Sequence, residues 1–275
     1  GTFAEVRVVA QNQAAIFTQK LGRGRAKKFL TQVGLSGVYE TFRLDESTFE
    51  LSAHAVGGAA TIDFERMLDG AEIMADLIGI ISDAMVDSVY QEVQKCLKAA
   101  QAKMPAANIV TQASGVFDQT GMLKLVNIAR AYGNSAVIFA PPEFVAAMGP
   151  DAIVPVGASY QGIYHPQDID AVHNQGYINI FRGTPIVMLP QSFQDENNNS
   201  TWIDPQVAYV FPTGSERIVK IVLEGETQMY DWVNKDQSME IHTYRKLGAA
   251  ILTYHNWGMY VNETIPQTYV APYDI

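Results

Sequence analysis

The 275 residues suffice for one large domain or two small ones, and 48% hydrophobic against 17% charged residues can bury a substantial core. The net charge of −10 argues against a general nucleic-acid binder, and no apolar run is long enough to cross a membrane as a helix. A single cysteine, Cys96, excludes an intrachain disulfide and reads as a small core residue.

The chain shows no signal-peptide pattern, and its start at Gly1 is read as a processed terminus or a cloning remnant. Residues 1–33 read as a distinct arm. Arg7, Lys20, Arg23, Arg25, Lys27 and Lys28 face only Glu5 there, which leaves the rest of the chain at −15. Such a segment either grips an acidic surface, touches nucleic acid, or is simply solvated. Residues 37–58 read as a hairpin. Val38 to Leu44 alternates, Asp45-Glu46-Ser47 carries turn chemistry, and Phe49 to Val56 returns. Gly57-Gly58 is expected to release the chain toward the next element. A two-stranded ribbon is marginal alone, so a protruding hairpin calls for a partner surface.

From Phe64 to Met104 apolar residues recur at three-and-four spacing with no proline, which predicts one helix of roughly 60 Å. A compact chain of this length is a sphere only about 50 Å across. A helix longer than its own globule implies a plate-like subunit completed by neighbours. Two helices broken near Gly79 are the alternative. Asp63 is the expected N-cap and Pro105 the stop.

Residues 107–225 read as mixed α/β. Helices are predicted over Gln119–Tyr132 and Pro142–Met148, strands over Ala136–Ala140, Tyr177–Phe181 and Pro185–Leu189, and an exposed loop over Asp195–Thr201. Strands follow at Ile218–Leu223, Thr227–Val233, Met239–Tyr244, Leu247–Tyr254 and Trp257–Val261, and Glu263 to Ile275 trails away. The aromatic run Tyr244, Tyr254, Trp257 and Tyr260 lacks interleaved basic residues and reads as sheet core rather than a base-stacking platform.

Catalytic signatures are missing: GxSxG, Walker A, HExxH and a complete dinucleotide fingerprint are not found. His165, Asp168, Asp170 and His173 fall within nine residues and could hold a divalent metal, or form a solvated acidic loop. His242 and His255 read as structural. His54 lies on the hairpin, where its protonation could alter a subunit contact. No cofactor is expected, and the chain is not read as an enzyme.

The order of elements resembles the major capsid proteins of tailed bacteriophages, the HK97-fold family. The resemblance spans nearly the whole chain. It rests on the basic arm, the hairpin, the long helix, the strand-Pro-helix element at Ala136 to Met148, Gly183-Thr-Pro-Ile-Val-Met-Leu-Pro190, and the closing run from Met239 to Val261. It implies an α+β fold with an N-terminal arm (1–33), an extended E-loop (34–62), a spine helix of the peripheral domain (63–106), a mainly axial domain (107–225), peripheral-domain strands (226–262) and a C-terminal tail (263–275). It further implies hexamers and pentamers of an icosahedral head around double-stranded DNA, in the virion, assembled in the bacterial cytoplasm with scaffolding, portal and decoration proteins as possible partners. Candidate subunit contacts are Arg7, Lys20, Arg23, Arg25, Lys27 and Lys28 in the arm, and Tyr39, Phe42, Arg43, Phe49 and His54 in the loop. Residues 34–62 contain no lysine, so the covalent E-loop cross-link of some members is not expected. An encapsulin-type compartment and a metal-dependent α/β enzyme using the His165–His173 loop are the alternatives.

Overall fold

A computed structural model describes residues 4–11, 13–20, 46–70, 73–149, 174, 177, 179–214, 217–235 and 238–269. Two sheets and a long helix organise it. One sheet has four strands in the order β1 (Ala4–Val9), β10 (Val219–Val233), β11 (Ser238–Ile251), β4 (His54–Asp63). The other has six, in the order β5 (Ile109–Gln112), β12 (Gly258–Asn262), β9 (Val207–Thr213), β6 (Ser135–Ala140), β8 (Thr184–Met188), β7 (Ile180–Phe181). A two-stranded ribbon pairs β2 (Ala15–Lys20) with β3 (Glu46–Leu51).

The strands β6, β9 and β12 of the six-stranded sheet are covered on both faces, which explains their near-continuous apolar runs. Along β9, Ala208 and Val210 join one core with helix α3 (Gln119–Tyr132), while Val207, Tyr209 and Phe211 join a second core with helix α2 (Met74–Gln101). Strands β6 and β12 divide the same way: Ile138 and Tyr260 face the first core, Phe139 and Met259 the second. Helices α3 and α4 (Pro142–Met148) form where the sequence places them. Asp118 caps α3 by accepting the Thr120 N–H at 3.0 Å, and Pro142 opens α4. Trp257 and Tyr260 are fully buried, as expected of sheet core.

Several expectations change. The single long helix is two: α1 (Phe64–Leu68) stops at Asp69, and α2 runs from Met74 for about 42 Å. The break is at Gly70, which adopts φ +69°, a conformation that ends a helix and favours glycine. Gly79 lies inside α2 without breaking it. The expected return strand from Phe49 to Val56 is also two, since β3 pairs with the arm residues of β2 and β4 pairs with β11. Glu46 and Ser47 are strand residues rather than a turn. Gly57-Gly58 lies inside β4, where a Cβ on Gly57 would collide with the Thr243 carbonyl and the Tyr244 Cβ.

The strands expected at 218–223 and 227–233 are one, β10, with a register shift between Glu224 and Gln228. Those at 239–244 and 247–254 are also one, because Lys246, which interrupts the apolar pattern, meets Glu224 across the strands at 2.9 Å. Strand β12 joins the six-stranded sheet, whereas β10 already enters the four-stranded sheet at Val219. Residues 263–269 do not trail away. Ile265 is buried, its carbonyl accepts from Gln206 Nε2 at 2.7 Å, and the Thr268 carbonyl accepts from the Thr201 N–H at 3.0 Å.

Candidate assembly surfaces

The N-terminal strand is built into the subunit. β1 runs parallel to β10, and the Lys220 ammonium, its side chain only 2% exposed, donates to Glu5 Oε2 at 2.6 Å. That contact, with Arg7 beside it, holds the Glu5 carboxyl below its ordinary pKa. Arg7 donates to Glu5 Oε1 at 3.0 Å and to the Ile16 carbonyl, and its guanidinium lies 4.6 Å over the Phe17 ring. The cluster fastens the β2–β3 ribbon over one end of the four-stranded sheet, where Ala15 and Phe17 pack on Val222.

Other expected contact residues fall as follows. Lys20 closes β2 opposite Glu46. Phe49 lies across from Phe17 and is 41% exposed. His54 opens β4, with Nε2 3.7 Å from Glu92 Oε2 of its own helix α2. Arg23, Arg25, Lys27, Lys28, Tyr39, Phe42 and Arg43 lie outside the described residues, as do His165, Asp168, Asp170 and His173. Among the described residues no three His, Cys, Asp or Glu side chains come together to hold a metal.

The most exposed apolar surface lies elsewhere. The distal half of β10 leaves Met229, Tyr230, Trp232 and Val233 between 54% and 71% exposed, with the Tyr230 ring stacked on Tyr244 at 6.2 Å. Helix α2 turns Ile80 (64%) and Val86 (54%) outward. Sequence reading missed both, because β-branched and aromatic residues look alike whether a sheet face is covered or bare. The signal available was position: Trp232 and Val233 stand immediately before the polar run Asn234-Lys235-Asp236-Gln237 in the sequence, and Val233 pairs with Met239 at the end of the β10–β11 ladder. Asp83 and Asp87 share the α2 surface, and burial followed by the Asp83 charge raises the Asp87 pKa.

Two contacts fix the C-terminal end of α2. Lys98 pairs with buried Asp204 and lies 4.0 Å over the Tyr269 ring, joining the helix to the segment that closes the chain. Cys96 donates to the Ala249 carbonyl at 3.1 Å, and burial, ahead of the Glu92 charge, pushes its thiol up to about 11, so it stays protonated at neutral pH. These groups build a framework with bare apolar faces.

The family described as "SPbeta prophage-derived putative capsid protein YonB" matches residues 3–260. The chain belongs to this capsid-protein family. No curated protein matches it by sequence. Solved structures similar to it include the capsid of a native GTA particle, 11% identical with a TM-score of 0.61, covering 98% of this chain and 89% of that one. The capsid of cyanophage P-SCSP1u is 11% identical with a TM-score of 0.60, covering 94% and 86%. The SrpI encapsulin of Synechococcus elongatus PCC 7942 is 12% identical with a TM-score of 0.56, covering 92% and 84%. The fold is therefore the α+β HK97 capsid fold, and the chain is a phage-type capsid protein of the virion shell.

Proposed function

We propose that this capsid protein assembles as pentamers and hexamers into an icosahedral phage head around double-stranded DNA. The family match over residues 3–260 carries the reading, and the bare apolar faces of β10 and α2 support it. In this reading the role is mechanical and not enzymatic. The sheet bearing β10 and β11 serves as the peripheral domain, with α2 as its spine, and the six-stranded sheet with α3 and α4 serves as the axial domain. The β2–β3 ribbon and the basic residues between its strands (Arg23, Arg25, Lys27, Lys28) reach an acidic neighbour, with Tyr39, Phe42, Arg43, Phe49 and His54 as further contacts. Each contact is weak, and repetition around a closed shell makes the sum strong. Scaffolding, portal and decoration proteins are the expected partners, and assembly takes place in the bacterial cytoplasm.

Sedimentation velocity of the purified full chain tests this directly. Rings or megadalton particles support the reading, and a lone 30 kDa species at every concentration, with or without scaffold, overturns it. The encapsulin similarity favours a second reading, a compartment that encloses protein. Nuclease-protected double-stranded DNA in particles isolated from the native host selects the phage head, and a cargo protein without DNA selects the compartment.

A further inference from the structure

Between α2 and the strands β10 and β11 lies a cleft of about 280 Å³, lined by Ile81, Met85 and Val89 of the helix and by Met229, Arg245 and Leu247 of the strands. Arg245 is its one charged wall. The Arg245 Nε is buried with no hydrogen-bond partner, and the guanidinium makes no ion pair with any described residue. A buried donor lacking an acceptor is costly, and a carboxylate is the group that best satisfies a guanidinium fork.

The strand register shows where a carboxylate is presented. Met229 pairs with Thr243, Asp231 with Ile241 and Val233 with Met239. Met229 and Thr243 both line the cleft, so Asp231 and Val233 continue along that same face at two-residue intervals. Asp231 is exposed and makes no ion pair with a described residue, Met229 is 55% exposed and Val233 71%. Arg245 lies four residues along β11 from the partner of Asp231, about 14 Å away. One face thus carries an anion, an apolar strip and a cleft with an unpaired cation. Such a patch is self-complementary about a two-fold axis.

We infer that this face is an isologous contact between two copies of the chain. Asp231 of each copy meets Arg245 of the other, and Met229 and Val233 cover the cleft mouths. The inference rests on the shell reading above and names one of its interfaces.

Charge reversal tests it. Arg245→Asp and Asp231→Arg are each expected to raise the concentration for half-assembly of the full chain by at least about tenfold, and the double variant to return it to within about threefold of the parent. Because Arg245→Asp could disturb folding, a second measurement uses Val233→Cys with Val89→Cys, about two turns beyond Ile81 on the cleft wall, in a Cys96→Ala background. Oxidation should then yield an inter-chain disulfide that depends on both new cysteines. Single variants that assemble like the parent, or a double variant no better than the singles, overturn the pairing and leave the shell reading standing. A parent chain that never associates overturns both.

Discussion

The two sheets put similar residues to opposite use. In the central strands β6 and β9 of the six-stranded sheet alternate side chains enter two different cores, so Ile138, Phe139, Tyr209 and Val210 are all at most 4% exposed. In the four-stranded sheet β10 begins the same way, buried from Val219 to Val222, and ends with Trp232 and Val233 at 67% and 71% exposure. One sheet is completed by its own chain and the other only in part. A hydrophobic strand therefore indicates a covering surface without saying whose chain supplies it.

The largest effect should come from the first sheet. Phe144, fully buried and edge-on to Phe117 and Tyr260, should cost about 3–5 kcal/mol as Phe144→Ala in urea unfolding. Next comes the covered end of the second sheet. Glu5→Gln removes the carboxylate that accepts from the buried Lys220 ammonium, with an expected loss of about 1–3 kcal/mol in urea unfolding. Because Lys220 lowers the Glu5 pKa, the contribution is complete above the ordinary 4.5 and fades as pH falls through the depressed folded value. Chemical melts of parent and variant should converge in acid.

A smaller effect of opposite sign is expected on α2. Burial and Asp83 raise the Asp87 pKa, so its ionised form costs stability at neutral pH. Asp87→Asn should stabilise by about 0.5 kcal/mol at pH 7, and the gain should vanish once pH falls below the ordinary 3.8, as thermal melts at two pH values would show. The smallest effect on stability belongs to the bare end. Trp232→Ser should change unfolding by no more than about 0.5 kcal/mol while reducing particle yield. A large loss of stability there would mean that the two sheets do not differ as described.

Local signals were legible where they were self-contained. Pro142 and the apolar stripe of Met122, Leu125 and Ala129 define α4 and α3 from within a dozen residues, while the Asp118 cap emerged only in the structure. The order of elements was enough to indicate the capsid fold. The α1–α2 break was harder, because Gly70 and Gly79 look alike in sequence and only the backbone separates them. Pairings across the chain left no local trace. Nothing in residues 15–20 announces β3 as their partner, and nothing near Lys98 announces Asp204. Arg7 read only as an arm charge opposed by Glu5, because its other partners, Phe17 and the Ile16 carbonyl, belong to the next strand.

The parallel pairing of β1 with β10 also bears on timing. Glu5 emerges from the ribosome 215 residues ahead of Lys220. At about 5–20 residues per second, its strand waits roughly 10–40 s for its neighbour. Until then the β2–β3 ribbon has no sheet end to fasten to, and the face bearing Asp231 and Arg245 does not yet exist. A nascent chain thus cannot offer that contact before Arg245 has been made, so synthesis of β11 acts as a clock on subunit association.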